Sequence, residues 1–247
     1  MQVRLPLLWN FFSVRLMRIE PEIGGANIVL LGSFNPKIFQ PYWMAKHGLI
    51  SDPEAEVADV AVIHPEITAF MIEDLFTLQV NPTRFSIERN VAPLILICDL
   101  VSRLFGELLP HVPIHQMGIN RTVHFNVGQE QRERIGLMLA SREPWGEWGK
   151  EVSSGEGLKH GGLQSLTLVQ RNVSDRPSGW IQTKIEPSLK LGHGQTGIYM
   201  EVNDHYELTD SSQTSTPEAM MELLVKVFDN SIRRSEGIID QIMSLKQ

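Results

Sequence analysis

The run Ala26-Asn27-Ile28-Val29-Leu30-Leu31-Gly32-Ser33-Phe34 decides the fold class. It is short and aliphatic, bounded by Gly24-Gly25 on one side and Asn35-Pro36 on the other, and so reads as a buried strand. Beyond it, Asn35 can accept from free backbone amides while Pro36 occupies a first helical position, which predicts a helix from Pro36 to about His47 that stops at Gly48. Pro41 should bend that helix or delay its start. Ser51 to Glu56 reads as an acidic loop. Three β-rich runs follow, Val57 to Ile72, Leu75 to Val80 and Arg84 to Arg89, separated by Glu73-Asp74 and Asn81-Pro82-Thr83 and expected to fold as antiparallel hairpins. Pro93 then opens an apolar helix, Leu94 to Leu109, that carries Ile97, Cys98, Val101, Leu104, Phe105 and Leu108 at helical spacing and is closed by Pro110.

The rest of the chain follows the same order. His115 to Val127 reads as a strand, Gln129 to Ala140 as a helix, and Leu163 to Val173, Trp180 to Leu191 and Gly197 to Leu208 as three strands joined by Ser174 to Gly179 and Gly192 to Thr196. Thr216 is the expected cap, and Pro217 the first residue, of a helix reaching about Leu245. The predicted fold class is therefore α+β: an antiparallel sheet with helices packed on one face, made by pseudo-twofold duplication of a β-α-β-β-β-α unit. Residues 1–16 form an N-terminal extension, 17–110 the first half, and 111–247 the second half. A Trp/Gly-rich stretch, 141–162, is expected as a surface insertion. Met17 is expected as an alternative translation start.

Two copies of strand, helix, strands and helix resemble the saddle of the TATA-binding-protein fold, with a curved antiparallel sheet and helices on its convex side. Asn81-Pro-Thr-Arg84-Phe-Ser-Ile87, Gly118-Ile-Asn-Arg121 and the long last helix also resemble a sporadically distributed family of uncharacterised bacterial proteins of about this length. The first resemblance implies an architecture and the second no activity. DNA binding does not carry over, because the chain lacks a recognisable phenylalanine wedge pattern and is acidic.

That acidity comes from 22 lysines and arginines against 29 aspartates and glutamates, a formal charge of −7. A molecule of this sign repels polyanions as a whole, so nucleic acid is disfavoured as a partner, and a local nucleic-acid site would have to use Arg84, Arg89, Arg121 and Arg171. With 42% apolar and 21% charged residues the chain is expected to be globular. The apolar N-terminal stretch is interrupted by Arg4, Pro6, Asn10, Ser13 and Arg15, so no membrane span is expected from it. The single cysteine, Cys98, rules out an internal disulfide and fits a reducing, cytoplasmic setting. Its place among Ile97 and Val101 marks it as core and not as a nucleophile.

Few residues suggest chemistry. His111, His115 and His124 are near one another in sequence, but Pro110 and Pro113 forbid the helix that would align the first two, so no metal site is expected. Gly155, Gly157, Gly161 and Gly162 lack the strand-to-helix context of a phosphate cradle, and no cofactor is expected. Arg84, Asn120 and Arg121 are the candidate ligand-binding or partner-binding residues. Arg121, in particular, must meet solvent, an acid partner or an anionic ligand. The preferred reading is a non-enzymatic binding or assembly protein. The alternative is an enzyme whose acid–base groups His64, Glu201 and His205 converge with Arg121 in three dimensions. An overhanging apolar stripe on the last helix would suit a protein partner or an antiparallel pairing of two copies into a homodimer.

Overall fold

The computed structural model describes residues 19–152, 154, 161–176, 178–192, 196–208 and 217–245. The extension 1–16, the alternative start at Met17, the cap at Thr216, the glycines 155 and 157 and the middle of the Gly192 to Thr196 turn lie outside the described residues.

Among the described residues nine strands form one antiparallel sheet. They are β1 (Ile23–Gly32), β2 (Asp59–His64), β3 (Ile67–Ile72), β4 (Phe76–Asn81), β5 (Arg84–Arg89), β6 (Ile114–Asn126), β7 (Leu166–Gln170), β8 (Gly179–Pro187) and β9 (Gly197–Glu207). Their order across the sheet is β2-β3-β4-β5-β1-β6-β9-β8-β7, with β1 and β6 side by side at the middle. The helices of the described residues are α1 (Pro41–Lys46), α2 (Asp52–Glu56), α3 (Ile95–Arg103, continued by a π-helical turn Leu104–Leu108), α4 (Gln129–Leu139), α5 (Gly146–Glu151) and α6 (Pro217–Ser244), of which α3 and α6 supply the main cover of the sheet. No helix among the described residues is long and apolar enough to cross a membrane.

Several local outcomes differ from the sequence expectation, each for a stated reason. At Pro41 the late start, one of the two expected outcomes, is what occurs, and the single helix expected over 36–47 is split in two. The Asn35 side chain caps a single 3-10 turn, Pro36–Ile38, and the chain restarts at Pro41 as the first residue of α1. The acidic loop is a short helix, α2, because Ser51 and Glu54 form a capping box, with Ser51 N donating to Glu54 Oε2 at 2.6 Å. The run Val57 to Ile72 is two strands, not one, since Pro65 cannot donate to a ladder and the chain reverses there. The stretch Ser141 to Gly162 includes a 3-10 turn, Glu143–Trp145, and α5.

Alternation along each strand sorts the side chains onto two faces. Ala26, Ile28 and Leu30 of β1, Phe85 and Ile87 of β5, and Met117 and Ile119 of β6 point into the core beneath α3 and the first turns of α6. A second cluster joins Val123 and Phe125 of β6 and Met200 and Val202 of β9 to Ile239 and Met243 of α6. Between the two clusters runs a belt of buried polar groups, Arg121, Asp204, Ser231 and Ser235. Helix α6, about 42 Å long at 1.5 Å per residue, crosses both clusters and is buried along one face from Pro217 to Met243. Its apolar stripe is used on its own sheet, and the expected overhang is absent from the described residues.

Gly32 marks how closely β1 approaches the segment before β6: a Cβ there would lie 2.2 Å from the Pro113 carbonyl oxygen. Gly32→Ala should therefore cost about 1–3 kcal/mol through forced backbone movement. That exceeds the gain of about 0.4–1 kcal/mol from a stiffer unfolded chain. Urea unfolding checks the sign, and a more stable variant would contradict this packing.

Candidate functional site

The sheet face opposite the core holds a cleft of about 770 Å³. Because β1, β6, β9 and β8 are paired in register, its floor is a set of transverse rows, each built from one residue per strand. Val29, Gly118, His205 and Trp180 form one row, Asn27, Asn120, Asn203 and Gln182 the next, and Gly25, Thr122, Glu201 and Lys184 the third. A fourth row carries His124, Tyr199 and Glu186. Along β6 the lining runs from Gln116 to His124, about 26 Å at 3.3 Å per residue.

The rows differ in chemistry. In the amide row Asn120 Nδ2 donates to Asn27 Oδ1 at 3.4 Å, and Asn27 Nδ2 donates to Ser86 Oγ at 3.0 Å. Asn203 Oδ1 is buried and has no hydrogen-bond partner among the described residues. It sits over Gly118, where a Cβ would come within 3.1 Å of it and 3.7 Å of Asn120 Nδ2, so the missing side chain makes room for the amides. Beside Gly118 the Trp180 ring stacks on His205 with centroids 3.7 Å apart and an angle of 19°. At the other end Tyr199 donates its hydroxyl to Glu201 Oε2 at 2.5 Å, and His124 Nδ1 lies 2.8 Å from Ser188 Oγ.

Electrostatics fix the protonation states. Burial lowers the His124 pKa, with Lys190 acting in the same direction, and burial lowers that of His205 despite Glu207 nearby, so both rings are neutral at neutral pH. His205 Nε2 is 3.5 Å from Glu207 Oε1, beyond a good hydrogen bond. Burial, then Glu201, Glu186 and Glu88, pushes the Tyr199 hydroxyl far up. Glu88, Glu186 and Glu201 of the cleft stand against Arg84, Lys190 and Lys184, the last of which pairs with Glu186 at 2.9 Å and lies over the Tyr199 ring.

Four of the residues singled out from sequence, Arg84, Asn120, Glu201 and His205, line this cleft. Arg121 does not. Its odd position on β6 turns it to the core face, where Nη1 donates to the carbonyls of Gly25 at 2.9 Å and Thr122 at 3.0 Å, and Nε lies 3.7 Å from Glu236 of α6. Its partner is an acid, as one of the readings of this residue required, and it is separated from Asn120 by the thickness of the sheet. His64 is exposed on the outermost strand, β2, with β3, β4, β5, β1 and β6 between it and β9. Glu201 and His205 share a strand but stand four residues, about 13 Å, apart. The acid–base set is thus not brought together. Arg89 is buried on the core face, donating to the carbonyls of Asp74, Leu75 and Pro93, and Arg171 lies past the end of β7. The four arginines of the nucleic-acid reading do not form one surface. His111 and His115 precede or open β6, whereas His124 is near its far end. Burial raises the Cys98 thiol to about 11, which fits a packing role.

Sequence reasoning missed Asn27, Asn203, Gly118, Trp180 and Tyr199. Its available signal was an asparagine at an alternating position inside each of three apolar strands. It also missed a second buried group, in which Asp204 accepts from Arg176 Nη1 at 2.5 Å, Arg234 Nη1 at 3.0 Å and the Tyr206 hydroxyl at 3.1 Å. Asp175 bonds to Arg176 and Arg234 at the outer end of this network.

Set against models of known protein families and against curated proteins, the chain matches none.

Proposed function

We propose that this is a non-enzymatic binding protein that takes a protein segment or small ligand in the cleft of its sheet. The observation that carries the reading is the row Asn27-Asn120-Asn203, hydrogen-bonding amides held in register at the centre of a broad open cleft. The acid–base reading needs His64, Glu201 and His205 within reach of one another, and their separation supports binding instead.

The architecture we infer is a duplicated saddle. Outward from β1 the strands run β5, β4, β3, β2, and outward from β6 they run β9, β8, β7, so the halves mirror each other with one strand fewer in the second. The helices lie behind the sheet and leave its other face to a partner. This layout supports kinship with the saddle folds and with the bacterial family that the sequence resembles.

The test is affinity capture from the native host with three baits: the wild type, Asn120→Leu, and Val225→Glu on the exposed side of α6. The molecule that co-purifies should be lost at least tenfold with Asn120→Leu and kept with Val225→Glu. Retention by the Asn120 variant, once that variant is shown to be folded, would remove the cleft as the binding surface.

A further inference from the structure

We propose that β7 pairs with β7 of a second copy of this chain, antiparallel about a two-fold axis at Leu168, joining two sheets edge to edge with both clefts on one face. The inference is independent of what the cleft holds. It follows from a difference between the two edges of the sheet.

An edge strand presents backbone N–H and C=O groups that another strand can pair with, unless a charge, a proline or a bulge blunts it. β2 is blunted. Its pairing with β3 shifts between Val60 and Val62, Asp59 opens it and Pro65 follows it. β7, by contrast, reads Leu166-Thr-Leu-Val-Gln170, with no charge, proline or glycine. It pairs with β8 without a shift, and among the described residues it has a strand on one side only. Its apolar side chains are open on both faces. Leu168, opposite Thr183 and two residues from the pair of Leu166 with buried Ile185, lies on the helix side and is 64% exposed. Val169, opposite Gln182 on the cleft side, is 42% exposed. A strand laid alongside covers both at once.

The strand is complementary to itself. Opposed residues of one sheet point to the same face, so a strand meets its own copy about a residue and not between two. Centring on Leu168 engages all five residues, whereas centring on Thr167 or Val169 engages three. Leu168 then meets Leu168 of the second copy, Thr167 meets Val169 and Leu166 meets Gln170, with no like charges opposed. Just outside the strand, exposed Arg171 falls opposite Ser165, whose hydroxyl donates to Glu186 Oε1 at 3.1 Å, so the charges that approach each other at the flanks are opposite in sign. An antiparallel pair of this kind has its axis perpendicular to the sheet, which is why both clefts share a face, and it closes at two copies. The contact is about 17 Å long at 3.3 Å per residue, a small interface that makes the dimer reversible.

The test is cross-linking with sedimentation equilibrium on the full-length protein. Opposed residues of an antiparallel pair have Cα atoms about 4.5–5.5 Å apart, within the span of a disulfide. Leu168→Cys should therefore give a disulfide-linked dimer under mild oxidation, at least tenfold faster than Val225→Cys on the exposed side of α6; the native Cys98 is buried. Leu168→Lys, which sets two ammonium groups against each other, should raise the dimer dissociation constant at least tenfold, with circular dichroism establishing that it is folded. Cross-linking of Leu168→Cys no faster than Val225→Cys, or growth of the wild type beyond two copies, would overturn the proposal. So would a wild type that stays monomeric while a host protein is captured and then lost with Leu168→Lys, which assigns the edge to a foreign strand.

Discussion

Replacing Asp204 by alanine should lower stability by about 3–5 kcal/mol, because it removes the fully buried one of the two carboxylates that neutralise a buried guanidinium. The Asp204 side chain is 0% exposed and that of Arg176 2%, and Arg176 also lies over the Tyr206 ring, with Cζ 3.8 Å from its centroid. Burial opposes the charge of Arg176, yet its bonds to Asp175 and Asp204 outweigh that and raise its pKa. Without Asp204 the cation keeps its burial and loses its fully buried partner, while Arg234 and the Tyr206 hydroxyl lose an acceptor. For a chain of this size the loss corresponds to a fall in Tm of about 10 °C. A double replacement, Asp204→Leu with Arg176→Met, should recover much of it, since a well-packed apolar pair avoids the desolvation of both charges. Thermal unfolding reads both, and a loss under 1 kcal/mol for Asp204→Ala would show that water reaches the network. The same network gives a pH signature. Hydrogen bonding to Arg176, stronger than the opposing effect of burial and aided by Arg234, holds Asp175 down at about 2, below its unfolded value near 3.9. Its contribution is complete above the unfolded value and is lost as pH falls toward 2.

Phe85→Ala should be as damaging, by about 3–5 kcal/mol. Phe85 is 0% exposed and meets three other rings, Phe34 at 6.2 Å, Phe39 at 5.6 Å and Phe105 edge-on at 5.1 Å. These rings tie β1, the 3-10 turn that follows it and the end of α3 to the sheet, so truncation opens a cavity at a junction of several elements. The ring contacts add about 0.5–1.5 kcal/mol per pair beyond buried area, and Phe85→Leu should therefore lose part of the stability as well. Urea midpoints of the two variants give the comparison. A cost below 1.5 kcal/mol for alanine would mean that the rings repack into the space. Because Phe85 faces away from the cleft, Phe85→Leu should leave binding unchanged where the chain is folded.

What could be read in the sequence was whatever local pattern controls. Ala26 to Phe34 and His115 to Val127 announced strands through aliphatic runs with glycine or proline at their borders, and α3 and α6 through apolar spacing. The antiparallel pairing followed from the hairpin-length connections. Local competition was harder to judge: Pro41 as breaker and restart, the reciprocal bonds of Ser51 and Glu54, and the reversal at Pro65 each depend on one or two hydrogen bonds. The site itself depends on register between strands far apart in the chain. Asn27, Asn120 and Asn203 become a row only when β1, β6 and β9 align, and the sequence contains no signal for that alignment. Parity along β6 did place Asn120 and Arg121 on opposite faces. Arg121 shares its parity with Met117, Ile119, Val123 and Phe125, whose burial turns that face to the core, and its acid partner there, Glu236 on α6, lies more than a hundred residues later. Asp204, Arg176 and Arg234 are separated in the same way, and only the fold makes them neighbours.

Hydroxyl-radical footprinting of the protein with its captured partner, read by mass spectrometry, tests the binding surface most directly. Trp180, Tyr199 and Leu189 line the cleft, whereas Trp145, Trp148 and Val225 are exposed on other elements. The account predicts that oxidation of the first three falls on complex formation while the second three are unchanged. Protection of Trp145, Trp148 or Val225 with Trp180 and Tyr199 still reactive would contradict it.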